Sequence, residues 1–377
     1  MTLSINRKPE INLVVLGKGL VGTAWLQGLA EQQAKLGSFA HVRLVALANS
    51  SRFLVDLSGL KAPALESFQQ ASVAGDLSQL LARLDDSELT NIVVLDLTAS
   101  TKVADHYLDF AQRGWHLISA NKVPLTKSTE RHKLLIQTLQ HYGCFWGINA
   151  TVGAALPVQA SINELQQAGD RLHSLSGVFS GSLSYLLNRY DGKQSFTELV
   201  RQAKEAGVTE PDPRDDLSGT DVQRKLLILS RIAGFSINLD DIEVSPLLPK
   251  ELLQGQLRDF WDRKTEIDSY MAKAYAEADA LGLHLVYRAQ AHFIDKLVQA
   301  KVGLDSAPGS DPLAQLTPCD NVFSLTTDFY QANPLVIRGP GAGALITATA
   351  VNIDLNKFAL QLVAASKQFG HNFIERI

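Results

Sequence analysis

The stretch INLVVLGKGLVG, residues 11–22, joins a short apolar run to three spaced glycines. The run is typical of a buried strand, a helical pattern follows over residues 23–36, and a second apolar run covers residues 42–48. In this order the glycines predict a dinucleotide-binding turn, because they permit a tight bend and let the backbone approach a pyrophosphate at a helix N-terminus. The cofactor contacts are expected from Gly17, Gly19, Leu20, Val21 and Gly22. A glycine turn of purely structural use is the alternative.

The second strand ends in the sequence ANSSR, residues 48–52. Folds that select NAD usually place a carboxylate here for the ribose 2′-hydroxyl, and this segment has none. Asn49, Ser50 and Arg52 are therefore predicted to bind the cofactor, and a guanidinium beside serines favours the 2′-phosphate of NADP. NAD stays the alternative cofactor, with Arg52 pointing into solvent.

Small polar residues follow the next two predicted strands. Thr98, Ala99 and Ser100 come after the strand at residues 91–97, and Lys122 comes after the one beyond it. The carboxyl ends of parallel strands border the nicotinamide crevice, so these four residues are expected to contact the cofactor. An ordinary helix N-cap explains the first three equally well, and Lys122 taken alone fits a surface position.

A second glycine-rich turn, GPGAGA at residues 339–344, precedes the last helical region. Gly341 is expected to reach the cofactor from there, although a hinge between domains fits the composition as well. Before this turn, apolar runs at residues 284–293, 297–304 and 322–330 predict an antiparallel or mixed sheet. The fold class is therefore α/β, with a Rossmann dinucleotide-binding domain and a second domain of α+β type.

The most unusual segment is VTEPDPRDDLSGTDVQRKLLILSR, residues 208–231. Pro211 and Pro213 fix their own φ and push the preceding residues toward extended conformations, which predicts a stiff extended loop over residues 209–214. A helix is expected after it, with Ser218 as its N-cap.

Acidic side chains crowd this segment. Asp221 and Lys225 lie four apart and share one helix face, which by itself indicates a solvated ion pair. The preceding acids, among them Glu210 and Asp216, would repel one another without a cation among them. A ligand that carries an ammonium group, bound beside a lysine, is the sharper interpretation.

Composition limits the remaining possibilities. The chain has 377 residues, 46% of them hydrophobic, which is enough for two domains with cores. A net charge of −4 gives no reason to expect nucleic acid or an anionic membrane as partner. The sequence shows no apolar leader and no run long enough to span a bilayer. Cys144 and Cys319 predict no disulfide framework, which favours the cytoplasm.

The assembled motifs resemble homoserine dehydrogenase, above all its form fused to aspartokinase. They are SANK at 119–122, ATVGA at 150–154, FSGSLSY at 179–185, and TEPDPRDDLSG at 209–219 followed by D-V-x-R-K. The resemblance implies NAD(P)H-dependent, reversible reduction of L-aspartate 4-semialdehyde to L-homoserine, on the route to threonine and methionine. Lys225 would be the acid–base residue, with Asp221 and Lys122 close to the reacting groups and Glu210 and Asp216 binding the substrate.

The resemblance also implies an organisation. Residues 1–135 would form the Rossmann domain, completed by residues 340–377, and residues 136–339 would form a catalytic and dimerisation domain of a homodimer. Neither a kinase half nor a C-terminal regulatory domain is expected. The carbonyls of Val152 and Ala154 would hold Na⁺ or K⁺, although Asn149 stands where the family usually has an acid.

Two other functions stay open from the sequence. One is a related Rossmann oxidoreductase acting on another small aldehyde; a phosphorylating version would need an activated thiol, and neither cysteine has an evident base nearby. The other is a non-catalytic protein that senses NADPH. The preference between NADP and NAD, feedback inhibition and the need for a cation are undetermined by the sequence.

Overall fold

The computed structural model describes residues 8–295 and 297–374. The chain divides into two compact units, one of Met1–Thr151 with Gly343–Ile377 and one of Val152–Ala342. The boundary expected at residue 135 falls inside a helix, Thr129–His141, whose following strand still pairs within the first sheet. The chain therefore leaves the first unit later than the sequence suggested. Residues 1–7 and 375–377 of the expected domain lie outside the described residues.

Within the described residues, the strands are β1 (Glu10–Leu16), β2 (His41–Ala48), β3 (Arg52–Val55), β4 (Val73–Ala74), β5 (Ile92–Asp96), β6 (His116–Ser119), β7 (Trp146–Gly147), β8 (Leu172–Val178), β9 (Ile242–Val244), β10 (Leu283–Ile294), β11 (Leu297–Pro308), β12 (Asp320–Thr327) and β13 (Leu335–Pro340). The α-helices are α1 (Leu20–Gln27), α2 (Leu29–Leu36), α3 (Ala62–Glu66), α4 (Phe68–Ala71), α5 (Leu77–Asp85), α6 (Thr101–Asp105), α7 (Tyr107–Gln112), α8 (Thr129–His141), α9 (Val158–Gln167), α10 (Gly181–Arg189), α11 (Phe196–Glu205), α12 (Pro213–Leu217), α13 (Thr220–Ile232), α14 (Lys250–Leu253), α15 (Leu257–Asp262), α16 (Lys264–Asp279) and α17 (Ala344–Ile374). Short 3₁₀ turns cover Val123–Thr126, Asn149–Thr151 and Leu239–Asp241.

The first unit is built on a seven-stranded sheet in the order β4-β3-β2-β1-β5-β6-β7. The central strands pair in parallel, whereas β3 and β4 are antiparallel to their neighbours. Strand order reverses direction at β1, between β2 and β5, and this is the switch point at which such sheets bind ligands. Helix α17 packs on α1, where the indole of Trp25 donates to Asn352 at 2.8 Å.

The second unit has a six-stranded sheet in the order β13-β12-β8-β10-β11-β9. Its pairs are antiparallel except β9 with β11, so the expectation of an antiparallel or mixed sheet is met. Helix α13 packs against β10 and β11 and buries a continuous run, Leu226–Leu229, which fixes the helix on the sheet. The side chains at the start of this helix are thereby held in place.

Several elements differ from the sequence expectations, each for a local reason. The first helix begins at Leu20, directly after Gly19, and ends at Gln27, and Gly28 separates it from α2. Pro213 does not extend the acidic loop but occupies the first turn of α12, because a proline lacks only an N–H that is unused there. No helix in the part of the chain that the structure describes is long and apolar enough to cross a bilayer.

Candidate active site

In the glycine turn after β1, two of the three glycines are required by close packing, and the third has open space beside it. Gly17 has a φ of +106°, and a Cβ there would lie 2.7 Å from the Leu97 carbonyl oxygen. A Cβ on Gly22 would lie 2.0 Å from the Gly17 oxygen. A Cβ on Gly19 would meet no heavy atom within 4 Å, and the neighbouring Leu20 is 85% exposed. The turn therefore leaves free space at the N-terminus of α1, which is where backbone N–H groups bind a pyrophosphate.

The turn between β2 and β3 is shaped by Asn49. Its side-chain oxygen accepts hydrogen bonds from the backbone N–H groups of Ser51 at 3.0 Å and Arg52 at 2.8 Å. Arg52 in turn donates through Nε to the Ser72 hydroxyl at 2.9 Å and through Nη2 to the Ser72 carbonyl. These contacts use only part of the guanidinium, so Arg52 is fixed in place with donors left over, while Ser50 is exposed.

A buried polar network lies where β5 and β6 end, and the sequence interpretation did not find it. Asp96 is fully buried, accepts hydrogen bonds from Thr98 and Asn121, and lies 3.0 Å from the Tyr107 hydroxyl. Asn121 also donates to the Ser100 carbonyl at 2.9 Å. The network ties the loop that carries Thr98–Ser100 to the loop that carries Asn121 and its neighbour Lys122. The available signal was a carboxylate inside an apolar run, NIVVLDL, a position that burial makes costly without partners.

The acids of the segment at residues 208–231 have different partners. Asp212 caps the N-terminus of α12 and pairs with Arg214, whose guanidinium also donates to the Gly255 carbonyl at 2.9 Å. Asp216 accepts from the Ser182 hydroxyl at 2.6 Å and from the Glu210 backbone N–H at 2.8 Å. Burial, partly offset by these hydrogen bonds, raises the pKa of the Asp216 carboxyl. Asp216 therefore holds the acidic loop against α10, and the Glu210 side chain stays on the exposed side.

Lys225 is the most strongly constrained charge in the second unit's candidate site. It is 7% exposed, and its ammonium lies 2.7 Å from the Phe179 carbonyl oxygen and 2.9 Å from the Asp221 carboxylate. Both partners are acceptors, and an ammonium has three N–H donors. One donor is therefore left for a bound molecule. The N-cap of α13 is Gly219, with a φ of +74°, rather than the expected Ser218, whose hydroxyl donates to the Asp215 carbonyl at 2.7 Å.

Asn321 shares the carbonyl that holds Lys225, and nothing in the sequence singled it out. It is fully buried, and its amide nitrogen donates to the Phe179 oxygen at 3.1 Å. A Cβ on Gly341 would lie 2.1 Å from that same amide nitrogen. Gly341, expected at the cofactor, is thus required by close packing against Asn321.

The glycine-rich turn that begins the second unit contains two residues with left-handed backbone. Gly153 has a φ of +75° and Ala154 a φ of +49°, which redirects the carbonyl groups on either side of them. Just before this turn, in the first unit, Asn149 donates to Asp354 through its backbone N–H at 2.9 Å and through its side chain. Burial raises the pKa of Asp354 to about 6. Among the described residues, no group of three or more His, Cys, Asp or Glu side chains is arranged as a metal site.

The two cysteines are unsuited to nucleophilic catalysis. Both are free thiols, and burial raises the pKa of Cys144 to about 11 and also raises the pKa of Cys319. A nucleophilic thiol needs the opposite shift. The chemistry of a phosphorylating dehydrogenase is therefore disfavoured.

The predicted residues fall into two sets, one in each unit. The first unit brings together the glycine turn, the Asn49–Arg52 turn, the Thr98–Ser100 loop and Lys122. The second unit pairs Lys225 with Asp221, links Asp216 to the Glu210 backbone, and contains the Val152–Ala154 turn and Gly341. A Rossmann unit with an open glycine turn, joined in one chain to a buried lysine paired with a carboxylate, defines an NAD(P)-dependent oxidoreductase.

Family comparisons identify the kind of oxidoreductase. The profile described as "Homoserine dehydrogenase" matches residues 157–355, and "Homoserine dehydrogenase, NAD binding domain" matches residues 17–145. The chain belongs to the homoserine dehydrogenase family, whose members are enzymes of amino-acid biosynthesis. The second profile also supports a nicotinamide cofactor.

Curated relatives are bifunctional proteins. The chain is 42% identical over 354 residues to bifunctional aspartokinase/homoserine dehydrogenase 2 of Escherichia coli K12, covering 93% of this chain and 43% of that protein. It is 36% identical over 369 residues to the chloroplastic bifunctional aspartokinase/homoserine dehydrogenase 1 of Zea mays, covering 95% of this chain and 39% of that protein. The chain thus spans about two fifths of the length of these relatives.

Solved structures share the fold. A Candida auris protein of unknown function matches with a TM-score of 0.84 at 30% identity, covering 93% of this chain and 98% of that one. A Staphylococcus aureus homoserine dehydrogenase, solved at pH 8.5, matches with a TM-score of 0.69 at 22% identity, covering 94% of this chain and 77% of that one. At that lower identity the likeness concerns the fold alone.

Proposed function

We propose that this protein catalyses the reversible, NAD(P)H-dependent reduction of L-aspartate 4-semialdehyde to L-homoserine, a step toward threonine and methionine. The observation that carries the proposal is the buried Lys225 ammonium, held by the Phe179 carbonyl and Asp221 with one N–H left over. The bound nicotinamide would supply or accept the hydride. The reacting carbonyl oxygen then needs a proton, and Lys225 would give it.

The hydrogen bonds of Lys225 fit this role in both directions of the reaction, reduction and oxidation. As an ammonium it donates to the Phe179 oxygen, to Asp221 and to the substrate oxygen. After it gives up the third proton, the neutral amine still has two N–H groups for its two fixed acceptors, and its lone pair faces the product hydroxyl. Oxidation of homoserine runs the same steps backward, with the amine as base. The lysine therefore changes charge without losing its position.

The substrate's ammonium group is proposed to bind the acids before the lysine. Asp216 uses one lone pair on each oxygen for Ser182 and the Glu210 backbone, and a carboxylate has further acceptor sites. Asp221 keeps about half of its side chain exposed, at 48%, despite its contact with Lys225. Glu210 adds a third carboxylate at the exposed side. Together these acids favour a small amino-acid substrate over an uncharged aldehyde.

The first-unit residues are proposed as the cofactor site, with NADP preferred over NAD. The support is the open position at Gly19, together with the Arg52 guanidinium that Ser72 holds at the start of β3. Thr98, Ala99, Ser100 and Lys122 are proposed to contact the nicotinamide part from the ends of β5 and β6.

Three further properties are proposed from the family likeness. A monovalent cation, Na⁺ or K⁺, would bind the carbonyl groups of Val152 and Ala154, supported by the left-handed backbone there. The protein would form a homodimer, which light scattering can test directly. It would work in the cytoplasm on a small-molecule substrate, with the free thiols of Cys144 and Cys319 as support.

Absorbance of the nicotinamide band tests the proposed reaction. Purified protein with L-homoserine should reduce NADP⁺, and NAD⁺ more slowly. Lys225→Met should keep cofactor binding and lose about 10²–10⁴-fold in turnover, the usual contribution of a positioned acid. Lys273→Met, at a lysine whose side chain is 78% exposed in the same unit, is the matched control and should keep full turnover.

Near-normal turnover in folded Lys225→Met would reject the lysine as the acid. Cofactor binding without turnover in the unaltered protein would instead point to another aldehyde substrate, or to a protein that senses NADPH.

A further inference from the structure

Asp96 holds two loops of the first unit together. Its Oδ1 accepts from the Thr98 backbone N–H at 3.0 Å and from the Thr98 hydroxyl at 2.6 Å. Its Oδ2 lies 3.0 Å from the Tyr107 hydroxyl and 2.9 Å from the Asn121 amide nitrogen. One carboxyl group thereby joins the loop after β5, helix α7 and the loop after β6.

The directions of most of these hydrogen bonds are fixed by their other partners. The Asn121 amide must point its nitrogen at Asp96, because the same nitrogen faces the Ser100 carbonyl at 2.9 Å and the amide oxygen receives the Val123 N–H at 3.0 Å. The Thr98 hydroxyl receives the Ser100 N–H at 3.0 Å, so its own proton goes to Asp96.

The hydroxyl chain that starts at Asp96 is one proton short if the carboxyl is ionised. Tyr107 lies 3.0 Å from Asp96 and 2.7 Å from the Ser119 hydroxyl, and Ser119 lies 3.0 Å from the Asn121 carbonyl oxygen. Two hydroxyl protons cannot serve three close oxygen–oxygen contacts. A proton on Asp96 completes the chain, since Asp96 then donates to Tyr107, Tyr107 to Ser119 and Ser119 to the carbonyl.

The surroundings of Asp96 favour the neutral acid. Its neighbours on four elements are apolar or uncharged: Leu16 from β1, Ser119 from β6, Tyr107 from α7 and Asn121 from its loop. No cationic side chain among the described residues forms an ion pair or hydrogen bond with the carboxyl. Burial raises the pKa of the Asp96 carboxyl.

We infer that Asp96 is a positioning residue, held as a neutral carboxylic acid, that locks the Thr98–Ser100 loop and the Asn121–Lys122 loop in one arrangement to receive the nicotinamide. The inference rests on the proposed function for its ligand, but the protonation state concerns the free protein alone. A neutral acid also fits both directions of the reaction, because it adds no charge beside the nicotinamide ring, whose own charge differs between the oxidised and reduced cofactor.

Infrared difference spectroscopy of the free protein tests the protonation state. At about pH 8 the unaltered protein should show the carbonyl-stretch band of a protonated carboxyl, and Asp96→Asn should lack it. Asp354, with a pKa raised to about 6, is ionised at that pH, so Asp354→Asn is the matched control and should keep the band. Tyr107→Phe should keep the band at a higher frequency, because the acid loses its acceptor.

Fluorescence titration with NADPH tests the positioning role. Asp96→Asn keeps the shape of the carboxyl but puts an amide nitrogen, which donates, where Oδ2 accepts from the Asn121 amide. Loss of this buried hydrogen bond should weaken NADPH binding about tenfold. Asp109→Asn, on the same helix as Tyr107 and outside the network, should bind NADPH normally. In variants that turn over, the KM for NADP⁺ in homoserine oxidation should rise more than the KM for homoserine.

Each outcome decides one part of the inference. A protein without the infrared band at about pH 8 has an ionised Asp96, which overturns the neutral-acid assignment. A band together with unchanged NADPH affinity in folded Asp96→Asn overturns the positioning role. Failure of dehydrogenase turnover leaves both measurements interpretable, because neither needs the reaction to proceed.

Discussion

Replacing Gly19 with alanine should weaken cofactor binding while leaving the fold intact. Its φ of −80° is accessible to any residue, and a Cβ there would meet no heavy atom within 4 Å. The substitution therefore costs the free protein only the difference between glycine and alanine at a helix N-cap, about 0.5 kcal/mol. The new methyl group would instead occupy the space in which a pyrophosphate approaches the N-terminus of α1.

The loss of affinity follows from the hydrogen bonds that the methyl group prevents. A hydrogen bond from a backbone N–H to a charged phosphate contributes roughly 1.5–3 kcal/mol, so losing one weakens binding about 10- to 100-fold. Loss of a second contact would multiply that factor. The effect should appear equally with NADPH and NADH, because the pyrophosphate is common to both cofactors.

Two other glycines, one within α1 and one at its C-cap, supply controls: one substitution should destabilise the protein and the other should have no effect. A Cβ on Gly22 would lie 2.0 Å from the Gly17 carbonyl oxygen, so Gly22→Ala should destabilise the protein by about 1–3 kcal/mol and lower its Tm by several degrees. A Cβ on Gly28, at the far end of α1, would lie 3.7 Å from the nearest atom. Gly28→Ala should change neither the Tm nor the affinity.

Fluorescence titration gives the Kd for each variant, and thermal unfolding gives the Tm. Unchanged Kd for NADPH in Gly19→Ala would refute the placement of the pyrophosphate at this turn. A Tm loss in Gly19→Ala as large as that in Gly22→Ala would instead show that the space beside Gly19 is not open.

Three further substitutions test other parts of the structure. Arg52→Gln should lose about tenfold or more in affinity for NADPH but not for NADH, whereas Arg131→Gln, at an exposed arginine on α8 of the same unit, should change neither Kd. Asp354→Asn should raise the Tm, and the gain should grow as pH rises from about 4 to 7. The folded-state pKa of Asp354 is raised to about 6, so this carboxyl favours the folded state only while it is protonated, and about 3 kcal/mol of stability is lost as it ionises. A Tm difference between the variant and the unaltered protein that does not change with pH would contradict this. Gly341→Ala should displace Asn321 and lower kcat with NADPH affinity retained; the reverse result would place Gly341 at the cofactor as its sequence context suggested.

Much of the first unit was predictable because its constraints are local. The apolar run, the glycine spacing and the following helix all lie within one short stretch. The backbone at residue 17 has a positive φ, which glycine adopts readily, so the residue type itself indicates the turn. The pairing of Asp221 with Lys225 was predictable for the same reason, since residues four apart on a helix are neighbours.

The acidic segment was only partly predictable. Its composition indicated a site, but the sequence did not show that Arg214 forms an ion pair with Asp212, or that the Ser182 hydroxyl donates a hydrogen bond to one oxygen of Asp216. The second proline was wrongly expected to extend the loop, because the choice between extending a loop and starting a helix depends on the cap before it.

The amino-acid sequence by itself determined the Rossmann class, the position of the glycine turn and the pairing of Lys225 with Asp221, because each depends on residues a few positions apart. Tertiary structure alone decided which carbonyl holds Lys225, that Asn321 shares it, and that Asp96 closes a polar network between two loops. The physical reason is burial: a polar group removed from water must find partners wherever the fold brings them, and those partners lie far away in the chain.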